Sequence, residues 1–211
     1  MEGRRLRPCF AIALRRFLPA SITVALLLAS AGCASGGGHV IDGMLEKVGM
    51  KAATPQPHAL PLRLYAGDNL NAGTEKRPLA LVVRVYQLRG YQRFEQAAFD
   101  TFLDEQAERN VLGSDLIDVS EVLLTPGQRN ELIERLPADA QHVGVVALFR
   151  MPAASRWRFS FDSRKAVADG ITLGLHACAM TTTSPALVTP IAGDAHGLSG
   201  VGCAPVPRLR R

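Results

Sequence analysis

The sequence has no closely spaced cysteines and little else that could bind a metal ion. Its 211 residues include four cysteines and five histidines. No two cysteines form a C-x-x-C pair, and the histidines do not stand at ligand spacing from cysteines or carboxylates. Protein zinc sites are built on such spacings. We therefore expect no metal site.

Motifs of catalysis and cofactor binding are also missing. No Gly-x-Ser-x-Gly turn is present to expose a nucleophilic serine. Three consecutive glycines, residues 36–38, precede neither a Lys-Ser pair nor a strand–helix unit, so they do not form a phosphate-binding loop. These absences predict a binding or structural protein with no catalytic residue and no cofactor.

A strong net charge is absent once the N-terminus is set apart. The chain carries 24 basic and 19 acidic residues, a net charge of +5. Residues 1–32 hold five arginines against one glutamate, so the remainder is nearly neutral. A nucleic-acid-binding protein needs a basic surface to neutralise phosphates. The charge distribution therefore predicts no nucleic-acid partner.

The N-terminal apolar run is too short to cross a membrane. Residues 17–29 form a run of 13 residues, about 20 Å as a helix against a hydrocarbon core of about 30 Å. The run follows an arginine-rich stretch and leads into small residues, which is the order of a secretory signal. Residues 1–32 are thus expected to be a signal peptide that is removed. A permanent transmembrane anchor is the alternative.

The end of this segment resembles the lipobox of bacterial lipoproteins. Ala31, Gly32 and Cys33 match that pattern, whereas Ser30 departs from it. The resemblance implies that Cys33 becomes the first mature residue and carries acyl chains such as palmitate. Because Ala34 and Ser35 follow instead of Asp, it also implies the outer membrane, with the polypeptide in the periplasm. The alternative is an ordinary cysteine after a standard cleavage site.

Residues 33–58 have the composition of a tether. Residues 34–38 are small and glycine-rich, which is typical of a flexible linker. Residues 41–48 carry apolar side chains at the spacing of one helical face, so a short helix is possible there. The tether is expected to connect the acylated Cys33 to the folded domain.

The domain at residues 59–180 has the period-two pattern of β-strands. Leu60, Leu62 and Leu64 alternate with polar or bulkier neighbours, as in a half-buried strand. One helix is predicted at residues 94–109, after the second strand. Short strands at short intervals favour a mainly β fold, a β-sandwich with one helical insertion. The predicted strands are 60–65, 79–88, 118–124, 130–136, 142–149, 156–162 and 171–180.

Two cysteines remain in the mature chain beside Cys33. Cys178 and Cys203 stand 25 positions apart, and a disulfide between them would persist in an oxidising compartment. Spacing alone leaves the bridge open, because bridging depends on their geometry in the fold. Residues 181–211 are rich in proline and glycine and are predicted to form an irregular C-terminal tail.

An ordered set of segments resembles one protein family. The segments are Arg77-Pro-Leu-Ala-Leu-Val-Val-Arg-Val-Tyr-Gln-Leu-Arg89, Phe94, residues 98–103, Leu124-Thr-Pro-Gly127, residues 143–150 and Trp157-Arg158. Together with the upstream lipobox they resemble the outer-membrane lipoprotein of the type VI secretion system, the TssJ family. The tail after residue 180 has no counterpart in that pattern.

The resemblance implies a fold, a location and a partner. The fold is a transthyretin-like β-sandwich of eight strands in two sheets, against the seven strands counted above. The implied role is not enzymatic: the protein is anchored to the outer membrane and binds the periplasmic part of the inner-membrane protein TssM. This contact helps to build the trans-envelope secretion complex.

The family also implies that the loop between the first two strands contacts the partner. In this chain the loop corresponds to residues 68–78, and the candidate residues are Asp68, Asn69, Leu70 and Asn71. An exposed Leu70 among polar neighbours would be a small apolar anchor. Alternatively, these residues only make a turn through side-chain hydrogen bonds. The competing function is a periplasmic lipoprotein that binds a small ligand or a cell-wall component.

Overall fold

The computed structural model describes residues 56–205. The expected signal peptide, Cys33 and the tether as far as residue 55 lie outside the described residues, as do residues 206–211. No helix in the described part of the chain is long and apolar enough to cross a membrane.

Eight strands form two four-stranded sheets, and this confirms the predicted β-sandwich. The first sheet has the order β4-β1-β7-β8 and the second the order β3-β2-β5-β6. β1 and β7 are parallel, and the other neighbours are antiparallel. The strands are β1 (His58–Ala66), β2 (Leu81–Leu88), β3 (Leu116–Leu124), β4 (Arg129–Leu136), β5 (His142–Ala147), β6 (Arg158–Asp162), β7 (Ile171–Leu175) and β8 (Met180–Thr182).

The main core lies between the two sheets and follows from the alternation of side chains. In β1 the three leucines 60, 62 and 64 are fully buried, while Arg63 and Tyr65 are half-buried on the outer face. Phe159 and Phe161 of β6 enter the same core from the second sheet. Burying such side chains contributes about 1.5–3 kcal/mol each, so this layer is the largest source of stability.

The prediction of one long strand at residues 171–180 is wrong. The chain forms a hairpin instead, in which β7 ends at Leu175 and β8 starts at Met180, paired directly with it. The physical reason is the neighbouring strand: β1 ends at Ala66, opposite Leu175, so a longer β7 would have no strand beside it. Turning back lets Met180 and Thr182 bury their side chains on the same sheet.

The prediction of a helical insertion at residues 94–109 is confirmed in its position, but the insertion is not one continuous helix. The insertion consists of α1 (Gln92–Gln96), a 3-10 helix (Phe99–Leu103) and α2 (Glu105–Leu112). Asp104 is extended and its side chain accepts a hydrogen bond from the Ala107 amide, so it caps a new helix. The break places Phe94 and Phe102 against Tyr86 of β2, with ring centroids 5.2 and 5.7 Å away.

A third helix, α3 (Ser163–Asp169), was not predicted from the sequence. Asp162 caps its first turn by accepting a hydrogen bond from the Lys165 amide, and Gly170 ends it at a φ of +77°. Both signals are visible in the sequence as Asp before Ser-Arg-Lys and Gly after Asp. The helix links β6 to β7 and packs against β1.

Residues 183–195 run along two edge strands of the sandwich. The Asp162 amide donates to the Ala186 carbonyl, and the Val188 amide donates to the Ser160 carbonyl of β6. Further on, the Thr182 amide of β8 donates to the Ala195 carbonyl. The segment thus covers the outer edges of both β6 and β8.

Candidate functional site

Four connections between strands of residues 56–205 meet at one end of the sandwich, which we call the loop end. The registers put the ends of β1, β3, β5 and β7 on this side, since Leu81 pairs with Leu124, Val83 with Ala147 and Ala66 with Leu175. The loops are residues 67–80 (the β1–β2 loop), 125–128, 148–157 and 176–179. The predicted partner-binding residues lie in the first of them.

Backbone hydrogen bonds hold the β1–β2 loop against the β7–β8 turn. The Gly67 amide donates to the Leu175 carbonyl at 2.8 Å, the Asn71 amide to His176 at 2.9 Å and the Gly73 amide to Ala177 at 2.9 Å. The first half of the loop forms turns at residues 68–71, and these three bonds attach them to the β7–β8 turn.

The expectation that Leu70 is exposed is wrong. Its side chain is 0% exposed and belongs to the main core between the sheets. The Leu70 amide donates to Gly67 and its carbonyl accepts from Leu79, so the turn closes around the side chain. Leu70 plugs the loop end of the core and is not available as a surface anchor.

Asn71 is also buried, and its side chain forms hydrogen bonds within the domain. Its side-chain amide donates to the Ala80 carbonyl at 3.0 Å, and its side-chain oxygen accepts from the Arg150 amide at 3.0 Å. The residue adopts a φ of +52°, which asparagine tolerates better than most side chains. It joins the β1–β2 loop to the β5–β6 loop.

Asp68 and Asn69 are exposed, as is the tip of the loop at residues 74–78. Glu75 at the tip pairs with Arg150, its carboxylate 2.6 Å from the guanidinium. Arg150 also donates to the Ala72 carbonyl at 3.3 Å. Arg150 was not among the predicted site residues, although it closes the quoted segment 143–150. The exposed part of this site is polar, with charges of both signs.

Gly73 requires its glycine. It adopts a φ of +59°, and a Cβ atom there would lie 1.9 Å from the methyl carbon of the buried Met151. The methyl carbon ends a flexible side chain and can shift, but the φ angle lies in the left-handed region that favours glycine. The backbone conformation therefore accounts for the glycine at this position.

A disulfide ties the tail to this end of the molecule. Cys178 and Cys203 are joined, with their Cα atoms 5.5 Å apart, so the bridge that the sequence left open is present. Cys178 lies in the β7–β8 turn, next to the carbonyls of His176 and Ala177 that hold the β1–β2 loop. Ala153 and Val201 pack around the bridge.

Replacing both bridged cysteines by serine should lower the free energy of unfolding by about 3 kcal/mol, because a 25-residue loop of the unfolded chain is no longer closed. Urea denaturation of the full chain without reductant measures this change. The unaltered protein in dithiothreitol is the matched control and should unfold like the variant. Equal midpoints for the variant and the oxidised protein would contradict the prediction.

His176 lines the loop end and is half-buried. Its Nε2 lies 3.1 Å from the Thr181 hydroxyl, and burial lowers the pKa of the imidazole below its ordinary value. His142, at the opposite end, also has a lowered pKa through burial, partly offset by the charge of Asp162. Both imidazoles are therefore neutral in the folded protein at pH 7.

Acid should destabilise the protein before its carboxylates titrate. As the pH falls below about 6.5, the unfolded chain takes up protons on these two histidines while the folded chain resists, so the free energy of unfolding decreases. Urea denaturation at pH 7.5 and pH 5.5 measures the effect. Replacing His142 and His176 by Gln should flatten the dependence, and an unchanged dependence would contradict the assignment.

Within residues 56–205, no group of three or more His, Cys, Asp or Glu side chains is arranged to hold a metal ion. The loop end offers instead a rigid surface with exposed carboxylate, amide and guanidinium groups. Such groups suit the recognition of another protein surface.

Comparison with known proteins identifies the family. The model of the type VI secretion lipoprotein family (VasD, EvfM, TssJ) matches residues 58–178. No curated protein matches the chain.

Solved structures share the fold. The T6SS lipoprotein TssJ1 from Pseudomonas aeruginosa is 25% identical with a TM-score of 0.51, over 65% of this chain and 99% of that one. A chain of a type VI membrane complex is 25% identical with a TM-score of 0.55, over 60% and 98%. A chain in the structure of the TssM C-terminal domain from EAEC is 24% identical with a TM-score of 0.52, over 59% and 97%. Since the family model spans more than half of the sequence, this chain belongs to the type VI secretion lipoprotein family.

Proposed function

We propose that this chain is an outer-membrane lipoprotein, acylated on Cys33, that binds the periplasmic part of a TssM-like inner-membrane protein and so helps to assemble the trans-envelope secretion complex. The observation that carries the proposal is family membership over residues 58–178. Its likeness to a chain of a type VI membrane complex supports a place in such an assembly. The structure named for the TssM C-terminal domain contains a chain of the same fold, which is consistent with TssM as the partner.

The loop end is the proposed contact. Asp68, Asn69 and the tip at residues 74–78 are exposed there, and backbone hydrogen bonds hold the loop that carries them. A surface fixed in advance loses little conformational freedom on binding, so more of the contact energy appears as affinity. Leu70 and Asn71 support this surface from beneath and are not contact residues.

The position of β1 separates the proposed anchor from the proposed contact. The chain enters β1 at His58, which pairs with Leu136 at the end opposite to the loops. A strand of nine residues is about 30 Å long. The entry of the chain at the end opposite to the loops is consistent with a loop end that is free for a partner.

The proposal is tested by purifying the full chain from detergent-solubilised envelopes and identifying co-purifying proteins by mass spectrometry. Asp68→Lys should reduce recovery of a large inner-membrane protein, because it reverses a charge in the contact. Asp169→Lys is the matched control, since Asp169 is exposed on α3 at the opposite end. If both variants recover equally less of the inner-membrane protein, the loop is not part of the contact. If the unaltered chain recovers no such protein, the TssM assignment is wrong.

The anchor is tested separately. The mature chain should carry acyl groups on Cys33 by mass spectrometry and stay in the outer-membrane fraction. Cys33→Ser should release it into the soluble periplasm, because several acyl chains are needed for firm attachment. A Cys33→Ser chain that stays in the membrane would contradict this part of the proposal.

A cavity favours the competing function, ligand binding. Its volume is about 380 Å³, and it lies at the end opposite to the loops, between His58, Gln141 and α3. The Ser163 hydroxyl lines this cavity, is buried and has no hydrogen-bond partner among the described residues. Calorimetric titration with soluble peptidoglycan fragments tests this function. Binding that is lost in Ser163→Val would support it, and the absence of heat would remove it.

A further inference from the structure

The two sheets have four edge strands, and residues 56–205 cover only two of them. The segment 183–195 hydrogen-bonds to the outer sides of β6 and β8, as described above. On the other side of the sandwich, β3 pairs only with β2, and β4 pairs only with β1. Open edges present unpaired amide and carbonyl groups to any extended chain that approaches them.

The backbone amide and carbonyl groups of the odd-numbered residues of β4 point toward the open edge, away from β1. Asn130, Leu132 and Glu134 lie opposite Leu64, Leu62 and Leu60 of β1, with side chains turned toward the core. The Arg135 carbonyl accepts a hydrogen bond from the Gln87 side chain at 3.3 Å, so it points away from β1. By the alternation of an antiparallel ladder, the polar groups of residues 131 and 133 point the same way.

The side chains of these odd-numbered residues form an exposed row. Ile133, at its centre, is 66% exposed, more than any other large apolar side chain of the described residues. Glu131 and Arg135 flank it, both exposed. Neither has an ion-pair partner in residues 56–205, although Arg63 lies opposite Glu131 on β1.

This row is complementary to itself. If two β4 strands pair antiparallel about Ile133, each Ile133 faces its copy and each Glu131 faces the copy's Arg135. One two-fold axis thus creates one apolar contact and two opposite-charge pairs. β3 lacks this property: it has the acidic residues Asp118 and Glu121 and no basic residue, so self-pairing forms no opposite-charge pair.

We infer that a second copy of this chain docks on the open edge of β4, by antiparallel pairing centred on Ile133. The pairing joins the first sheets of two copies into one sheet of eight strands. It lies along the side of the sandwich, away from the exposed residues of the β1–β2 loop, and is separate from the proposed TssM contact. Without an additional contact the interface is smaller than the typical stable one, so the association is expected to be weak.

Site-specific crosslinking of the full chain in cells tests the inference. In a pairing centred on Ile133, the two Ile133 Cα atoms lie about 5.5 Å apart, within the range that a disulfide spans. Ile133→Cys should give a covalent dimer on a non-reducing gel after mild oxidation. Leu123→Cys is the matched control, because Leu123 is 62% exposed and lies on β3. No dimer, or equal dimer from both variants, would overturn the inference.

Charge reversal gives a second test that does not depend on a new cysteine. Glu131→Arg places like charges opposite each other twice and should weaken dimerisation about tenfold in sedimentation equilibrium of the full chain in detergent. Adding Arg135→Glu restores opposite charges and should restore the dimer. Three results would contradict the β4 pairing. They are a dimerisation constant that Glu131→Arg leaves unchanged, a double variant that stays monomeric, and an unaltered chain that is monomeric at every concentration.

Discussion

Leu70→Asp should lower the free energy of unfolding by about 4 kcal/mol, because it removes a fully buried apolar side chain and places a carboxylate without a partner in the core. Urea denaturation of the full chain measures the loss. The variant should also expose the loop end to proteolysis, since the turn at residues 67–72 closes around this side chain.

Asn69→Asp is the matched control for this prediction. It introduces the same carboxylate one position earlier, where the side chain is exposed, and should change stability little. If Leu70 were a surface anchor, Leu70→Asp would keep full stability and lose only the partner. That result would contradict the burial of Leu70. If Leu70→Asp destabilises the protein as predicted, reduced partner binding by this variant is not evidence that Leu70 contacts the partner.

The loop itself could be predicted from sequence, but the burial of Leu70 could not. Asp68, Asn69 and Asn71 are turn-forming residues, so the run identified a polar connection. Local polarity then suggested that the leucine between them faces solvent. Its actual direction depends on the β7–β8 turn, which binds this loop from more than a hundred residues away in sequence. Only the assembled sandwich brings the two together.

Period-two alternation predicted the core strands well where the face that meets the other sheet is apolar. β1 was recognised in this way, from Leu60, Leu62 and Leu64. Alternation does not say whether the opposite face meets water. On β2 that face carries Tyr86, which is fully buried under α1 and α2, and on β6 it carries the buried Ser160.

The helical insertion shows the same limit. Its apolar spacing predicted one helix, but the chain is extended at Asp104, which caps a second one. The Arg158 guanidinium of β6 donates to the carbonyls of Phe94, Glu95 and Ala97, at and just beyond the end of α1. The sequence shows Arg158 only as an outward-facing residue of a strand, and this does not predict that it donates to carbonyl groups at the end of a helix.

The attachment of the insertion to the sheet centres on Glu108 of α2, a carboxylate that is only 2% exposed. It accepts hydrogen bonds from the Arg84 guanidinium and from the Tyr86 hydroxyl of β2, both at 2.8 Å. Burial and the neighbouring Glu108 charge raise the pKa of Tyr86, so the phenol stays protonated and its hydroxyl donates a hydrogen bond to Glu108. Arg84 also pairs with the exposed Glu121, at 2.5 Å.

Glu108→Ala should lower the free energy of unfolding by about 3–4 kcal/mol, because it removes two hydrogen bonds to a buried carboxylate, leaving the Tyr86 hydroxyl without an acceptor and Arg84 with only Glu121 and the Phe102 carbonyl. Tyr86→Phe removes one neutral donor and should cost only about 1 kcal/mol. Urea denaturation compares the two. Equal losses would mean that the cost of Glu108→Ala comes from disturbed packing and not from the lost hydrogen bonds to the carboxylate.

The double variant Arg84→Met/Glu108→Leu separates the two explanations further. It removes both charges together and fills their space with apolar side chains, so only the Tyr86 hydroxyl loses its acceptor, at a cost of about 1 kcal/mol. Replacing a buried ion pair in this way is often neutral or stabilising. We therefore expect its stability to lie near that of the unaltered protein and well above that of Glu108→Ala. A double variant as unstable as the single one would show that this pair, through its links to Glu121 and Tyr86, contributes more than its own desolvation costs.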